Sequence, residues 1–222
     1  MKVSSFRNSS PSRRVLGFTL IELLVVITII AILVGVIFAA GPAVMRNAKK
    51  ASTRTDMKSL QVAIGEYYTE YNRYPVPRET TEDLFFGDGG ESTEELMNVL
   101  LAEPAGWNAD HLLNPKEIVF FEPRLAKGAA KRSGLADDGK YYDVFGNEYR
   151  ILVDSDYNEI IDHAEVEKFD YTNPGTNEGA AVDGKFEYLG GVVIQSLGQD
   201  GEHGKNGNAI YKGSDDTASW LR

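Results

Sequence analysis

The chain has 222 residues and a formal net charge of −10, and from Arg73 onward 29 acidic residues face 14 basic ones. That balance excludes nucleic acid as a partner and favours divalent cations or basic protein surfaces. There is no cysteine, so neither a disulfide nor a thiolate metal site can staple the fold, and any bound metal must be held by oxygen.

Residues 1–17 form a basic leader with Lys2, Arg7, Arg13 and Arg14. Leu20 to Val44 is apolar apart from Glu22, Thr28, the glycines and Pro42. As a helix this stretch covers about 37 Å, enough to cross a bilayer. A secretory signal peptide ending near Ala39-Ala40 is the alternative, but its apolar part would be only about 7 to 15 residues. Charge does not set the topology, because Arg46, Lys49, Lys50, Arg54 and Lys58 follow the span as closely as the leader's charges precede it.

Within this region Gly17-Phe18-Thr19-Leu20-Ile21-Glu22 places an aromatic residue after a glycine and a lone carboxylate four residues further on. The pattern resembles the type IV pilin superfamily, which includes the pseudopilins of type II secretion. The resemblance implies cleavage between Gly17 and Phe18 by a prepilin peptidase, N-methylation of Phe18, and export of everything beyond the span. A carboxylate in hydrocarbon costs roughly 2.5 to 3.5 kcal/mol on insertion scales, so Glu22 calls for a partner or a function. The ammonium created at Phe18 on a neighbouring subunit would supply one and set the axial register. The competing reading is that Glu22 lies near the headgroups and snorkels.

After Val44 the pattern turns amphipathic, with Ala48, Ala51, Leu60, Ile64, Tyr67 or Tyr68, and Tyr71 at intervals of three and four. This stripe should pack on a globular part, while Arg46, Lys49, Lys50 and Arg54 cover solvated faces. The helix should run from Phe18 to Tyr71 and stop before Tyr74-Pro75-Val76-Pro77. Asn72-Arg73-Tyr74-Pro75 also matches the ending common among pilin-like proteins.

Beyond the helix, Ser92-Thr93-Glu94-Glu95 has the form of a capping box opening a short helix through Ala102. Ile118 to Phe121, Glu148 to Val153 and Gly191 to Leu197 read as strands of a small antiparallel sheet. The expected fold is therefore α+β and pilin-like, a long N-terminal helix packed on a small antiparallel sheet with a loop-rich C-terminus. Its expected divisions are a leader at 1–17, a transmembrane half-helix at 18–45, an amphipathic half-helix at 46–72 and a periplasmic globular domain at 73–222.

Two acidic segments are candidate cation sites. In the first, Asp154, Asp156, Asn158, Asp162 and Glu165 fall at positions 1, 3, 5, 9 and 12 of a calcium-loop spacing. Position 6 is Glu159 where that loop wants glycine, and a turn with solvated carboxylates is the other reading. The second runs from Ser196-Leu197-Gly198-Gln199-Asp200-Gly201 to Ser214-Asp215-Asp216-Thr217-Ala218-Ser219-Trp220. Here, and in Asp143-Val144-Phe145-Gly146-Asn147-Glu148-Tyr149, the chain is similar to the major pseudopilins of type II secretion, the general secretion pathway protein G family. The resemblance implies calcium held by the Leu197 carbonyl, Asp200, and Asp215 or Asp216. The alternative is an acidic turn with Trp220 tucked into the core.

His111, His163 and His203 are scattered without metalloprotease spacing and read as surface residues. No phosphate-binding glycine loop, nucleophile elbow or cysteine nucleophile occurs, so an enzyme is not expected. The implied function is a structural subunit of a type II secretion pseudopilus in the bacterial inner membrane, with its leader cytoplasmic and its C-terminal domain periplasmic. Its implied partners are further copies of itself, minor pseudopilins, the prepilin peptidase and the inner-membrane assembly platform. A pilus subunit, or a membrane-anchored calcium-dependent binding module, are the alternatives.

Overall fold

The computed structural model describes residues 18–78, 82–126, 133–161, 188–204, 207, 211 and 214–220. The chain divides into two units, Met1–Met45 and Arg46–Arg222, and helix α1 (Leu20–Tyr71) contributes to both.

In the first unit every large apolar side chain from Leu20 to Phe38 is exposed. A helix that is apolar on all faces and has no protein around it is suited to hydrocarbon. The Thr28 hydroxyl donates to the Leu24 carbonyl at 2.8 Å, so this polar group is satisfied within the helix. Pro42 lies inside α1 without ending it.

In the second unit α1 buries Thr53, Met57, Leu60, Ile64 and Tyr67, spaced alternately four and three apart, with Ala63 beside them. Ala48 and Ala51, expected on this stripe, are exposed; the buried face begins only at Thr53. Tyr67 is the tyrosine of the pair that enters the core, and Tyr68 stays at its rim. The helix ends in the expected place. Asn72 takes a left-handed conformation at φ 52 and its N–H donates to the Tyr68 carbonyl at 2.7 Å, the cap asparagine can supply before a proline-rich turn.

Strand β1 (Leu84–Phe86) precedes helix α2 (Thr93–Leu100) and a 3-10 segment, Gly106–His111. Then come β2 (Gly134–Leu135), β3 (Tyr141–Tyr142), β4 (Arg150–Val153), β5 (Ile160–Ile161), β6 (Tyr188–Leu189), β7 (Val192–Ser196) and β8 (Thr217–Ala218). Four of these strands form an antiparallel sheet in the order β1-β4-β7-β8, and β2-β3 and β5-β6 form separate pairs. The fold is thus α+β and pilin-like, the long helix packed against a four-stranded antiparallel sheet.

The two-residue period of the strands sorts their side chains onto two faces. Phe86, Ile151, Val153 and Ile194 face the core shared with α1, Leu96, Met97, Leu100, Tyr141 and Tyr149. Phe85, Leu152 and Val193 point the other way and pack with Ile161, Ala218 and Trp220. Burying both faces explains why β4 reads, after Arg150, as the continuous apolar run Ile151-Leu152-Val153 rather than as an alternation.

Residues 118–121, expected as a strand, are not one. Their backbone is engaged by the end of α2, with the Phe120 and Phe121 N–H groups both donating to the Leu100 carbonyl at 2.8 and 3.3 Å. The capping box at Ser92 is half formed. Ser92 accepts from the Glu94 N–H at 3.2 Å, but the Glu95 carboxylate turns away to accept from the Trp107 N–H at 2.6 Å. It thereby fastens the 3-10 segment to α2 rather than closing the box.

Candidate functional site

At the start of α1, Glu22 has a partner within its own chain. Thr19 N–H and Thr19 Oγ1 both donate to Glu22 Oε2 at 2.7 Å, and Glu22 N–H donates to Thr19 Oγ1 at 3.3 Å. This is a reciprocal capping box: Thr19 is the N-cap, Glu22 is the third helical residue, and two of the helix's orphan donors are satisfied at once. Thr19-Leu20-Ile21-Glu22 has the capping-box form in sequence, so the signal was there to be found. Gly17 lies outside the described residues, and Phe18 directly precedes the cap.

In the C-terminal loop Asp200, Asp215 and Asp216 come together, each offering an oxygen within 4.8 Å of the others. Asp215 Oδ2 accepts from the Gln199 and Asp200 N–H groups. Asp216 is buried, and its Oδ2 accepts from the Gly204 N–H at 2.7 Å. Leu197 is buried just after β7, and Gly198 follows it at φ 70, where a Cβ would meet the Asp215 carbonyl oxygen at 2.6 Å. Only glycine permits that approach. Gly198, Gly201, Gly204 and Gly207 all have positive φ, and around the first three of them the Gln199, Asp200, Glu202 and Gly204 N–H groups reach the aspartates. Trp220 packs into the second apolar cluster, and its burial coexists with the acidic cluster.

Two supports of this loop were not evident from spacing. The Lys50 ammonium donates to the Ser214 carbonyl at 2.8 Å. Burial pulls its pKa below the ordinary lysine value, against the attraction of Asp215 and Asp216. Lys50 is therefore a contact between helix and loop rather than part of a solvated face. The other support is the Asp143 turn. Asp143 is fully buried, and its Oδ1 accepts from the N–H groups of Phe145, Gly146 and Asn147 at 2.8 to 2.9 Å. Its Oδ2 accepts from the Ser196 hydroxyl at 2.6 Å, while Asn147 Nδ2 donates to the Gly198 carbonyl at 2.5 Å. Burial pushes the Asp143 pKa up, against the pull of these hydrogen bonds. The Asp-x-x-Gly-Asn segment thus ties the β3–β4 turn to the root of the acidic loop.

His203, expected at the surface, is partly buried in the same loop. Burial and then the charge of Arg150 lower its pKa to about 4.

The other acidic segment folds as a turn around Asp154, Asp156 and Asn158. Asp154 and Asp156 are joined by Asp83, which precedes β1, each with an oxygen within 4.8 Å of the others. Asn158 is spent on the turn itself: its Nδ2 donates to Asp156 Oδ2 at 2.8 Å and its Oδ1 accepts from the Ile160 N–H at 2.7 Å. Asp162 and Glu165 lie outside the described residues. Glu159 adopts φ 66, the left-handed conformation for which glycine is favoured at that position, at a cost of about 1 kcal/mol. Nor are all the carboxylates solvated, since Asp154 is 3 % exposed and Asp83 1 %. Burial, then contact with Asp156, raises the Asp154 pKa. Both acidic clusters have the oxygen chemistry to hold a metal ion.

Residues 12–38 match the prokaryotic N-terminal methylation motif. Over 132 residues the chain is 30 % identical to "Type II secretion system core protein G" of Escherichia coli (strain K12), an alignment that covers 55 % of this chain and 87 % of that protein. No solved structure matches the chain. These relatives are structural rather than catalytic proteins. The shared motif, the long helix on its antiparallel sheet and the extent of the alignment together show that the chain belongs to the type II secretion core protein G family of pilin-like proteins.

Proposed function

We propose that the chain is a structural subunit of a type II secretion pseudopilus. A prepilin peptidase cleaves it between Gly17 and Phe18, Phe18 is N-methylated, and residues 18–45 anchor it in the inner membrane with residues 73–222 on the periplasmic side. Subunits then assemble through the N-terminal helix, with minor pseudopilins, on the inner-membrane platform, and the growing fibre moves folded proteins outward. The observation that carries this reading is the methylation motif running directly into a capped, membrane-length helix. Both Thr19 donors converge on Glu22 Oε2, which leaves Oε1 for the Phe18 ammonium of a neighbour. The Leu197 carbonyl, Asp200, Asp215 and Asp216 hold calcium in this reading, with the cation replacing carboxylate repulsion by shared coordination.

Mass spectrometry of the protein extracted from its native membrane tests the pathway. A mature terminus at Phe18 carrying one methyl group is expected; an intact leader, or an end near Ala40, would overturn it.

A further inference from the structure

Asp83, Asp154 and Asp156 come from two chain segments that meet at one edge of the sheet. Asp83 sits just before β1, and Asp154 and Asp156 follow β4, its partner strand. The segments are laced together: Ser155 N–H donates to Asp83 Oδ1 at 3.1 Å, and Ser155 Oγ donates to the Glu82 carbonyl at 2.7 Å. Asp154 is the member that hydrogen bonding leaves incomplete. Its Oδ2 accepts from the Glu159 N–H at 3.1 Å, but its Oδ1 is buried and has no donor. A buried carboxylate oxygen with nothing to accept is costly, and more so beside two further carboxylates. Calcium coordinates oxygen at about 2.3 to 2.6 Å, so oxygens facing each other across one ion lie up to about 5 Å apart. The three carboxylates, within 4.8 Å of one another, fit that span.

We propose that Asp83, Asp154 and Asp156 form a second hard-cation site, with Asp154 Oδ1 as its buried ligand, separate from the C-terminal loop. The two sites belong to opposite edges of the sheet, since β1 and β8 are its outer strands and Asp215 and Asp216 immediately precede β8. A cation here would clasp the entry to β1 onto the exit from β4. The adjoining Tyr157 extends the clasp towards the end of α1, because its hydroxyl accepts from the Tyr74 N–H at 3.0 Å and its ring stacks on Tyr74 at 5.6 Å. The proposal rests on this cluster alone and stands whether or not the chain assembles into a pseudopilus.

The test is calorimetric titration of calcium into the full-length protein in detergent, after removal of metal with a chelator. Two calcium ions per chain are expected for the wild type, one for Asp156→Asn, and one for Asp215→Asn. Asp156 is exposed, so its substitution leaves the core intact; Asp154→Asn should repeat the loss of one site. Terbium emission supplies a second readout. Tyr157 and Tyr74 would sensitise an ion at the proposed site and Trp220 one in the C-terminal loop, so Asp156→Asn should abolish only the tyrosine-sensitised component. A wild type that binds no calcium, or an Asp156→Asn protein that binds as many ions as the wild type, overturns the proposal; a single wild-type ion that Asp156→Asn removes leaves this site standing and empties only the C-terminal loop.

Discussion

A histidine that folding keeps neutral makes stability depend on pH. The His203 pKa is lowered to about 4, by burial first and by Arg150 second, whereas an unfolded histidine titrates near its ordinary value of about 6.5. The unfolded chain therefore binds more protons than the folded one between these values, and the folded state loses stability as pH falls from about 6.5 towards 4. Above that window the residue contributes no slope. Replacing His203 by glutamine keeps a neutral polar side chain and removes the titration. In saturating calcium, the wild type should lose more stability than His203→Gln between these pH values in denaturant melts, and the two curves should run parallel above pH 7. Equal slopes across the window would show that the imidazole is as free to charge in the folded state as in the unfolded one.

Among the elements, those that depend on local chemistry were legible in sequence and those that depend on distant partners were not. The long helix and its end at Tyr71 follow from apolar composition and the Tyr74-Pro75 turn, and β4 and β7 from their β-branched runs. Ile118-Val119-Phe120-Phe121 has the same composition, yet the Leu100 carbonyl takes the N–H groups of Phe120 and Phe121 and Asn114 Oδ1 that of Ile118, a competition no local pattern records. The cation clusters divide in the same way. Asp200, Asp215 and Asp216 were found by resemblance and do converge, whereas Asp83 lies about seventy residues from Asp154 in sequence and joins it only through the pairing of β1 with β4. Asp143 shows how such distant ties are made. Its carboxylate gathers three N–H groups of its own turn and the Ser196 hydroxyl, so Asp143→Ala should leave these donors stranded and cost about 3 kcal/mol. Asp143→Asn keeps an oxygen for the three N–H groups and should cost less than half as much. Urea unfolding in calcium checks this, and equal losses for the two variants would mean that the negative charge, not the geometry of acceptance, holds the turn.

For the whole molecule, Glu22 has two separable duties: it caps α1 within its own chain and, in the proposed assembly, neutralises the Phe18 ammonium of the next subunit. Glutamine separates them. A glutamine at the third helical position still closes a capping box through its carbonyl oxygen, but it carries no charge for a neighbour's ammonium to meet. Alanine removes both. The Glu22→Gln protein should therefore insert, keep its helix and be processed at Phe18, since a neutral side chain enters hydrocarbon more easily than a carboxylate. Its subunits should nevertheless associate at least tenfold more weakly, the consequence of losing about 1.4 kcal/mol or more from an ion pair in a low-dielectric setting. Cysteine pairs introduced along α1 would report this as a loss of crosslinked multimers from membranes expressing the variant. If Glu22→Gln crosslinks as well as the wild type while Glu22→Ala does not, the carboxylate acts through the cap alone, and the axial register of the fibre must be set by the packing of the apolar helices instead.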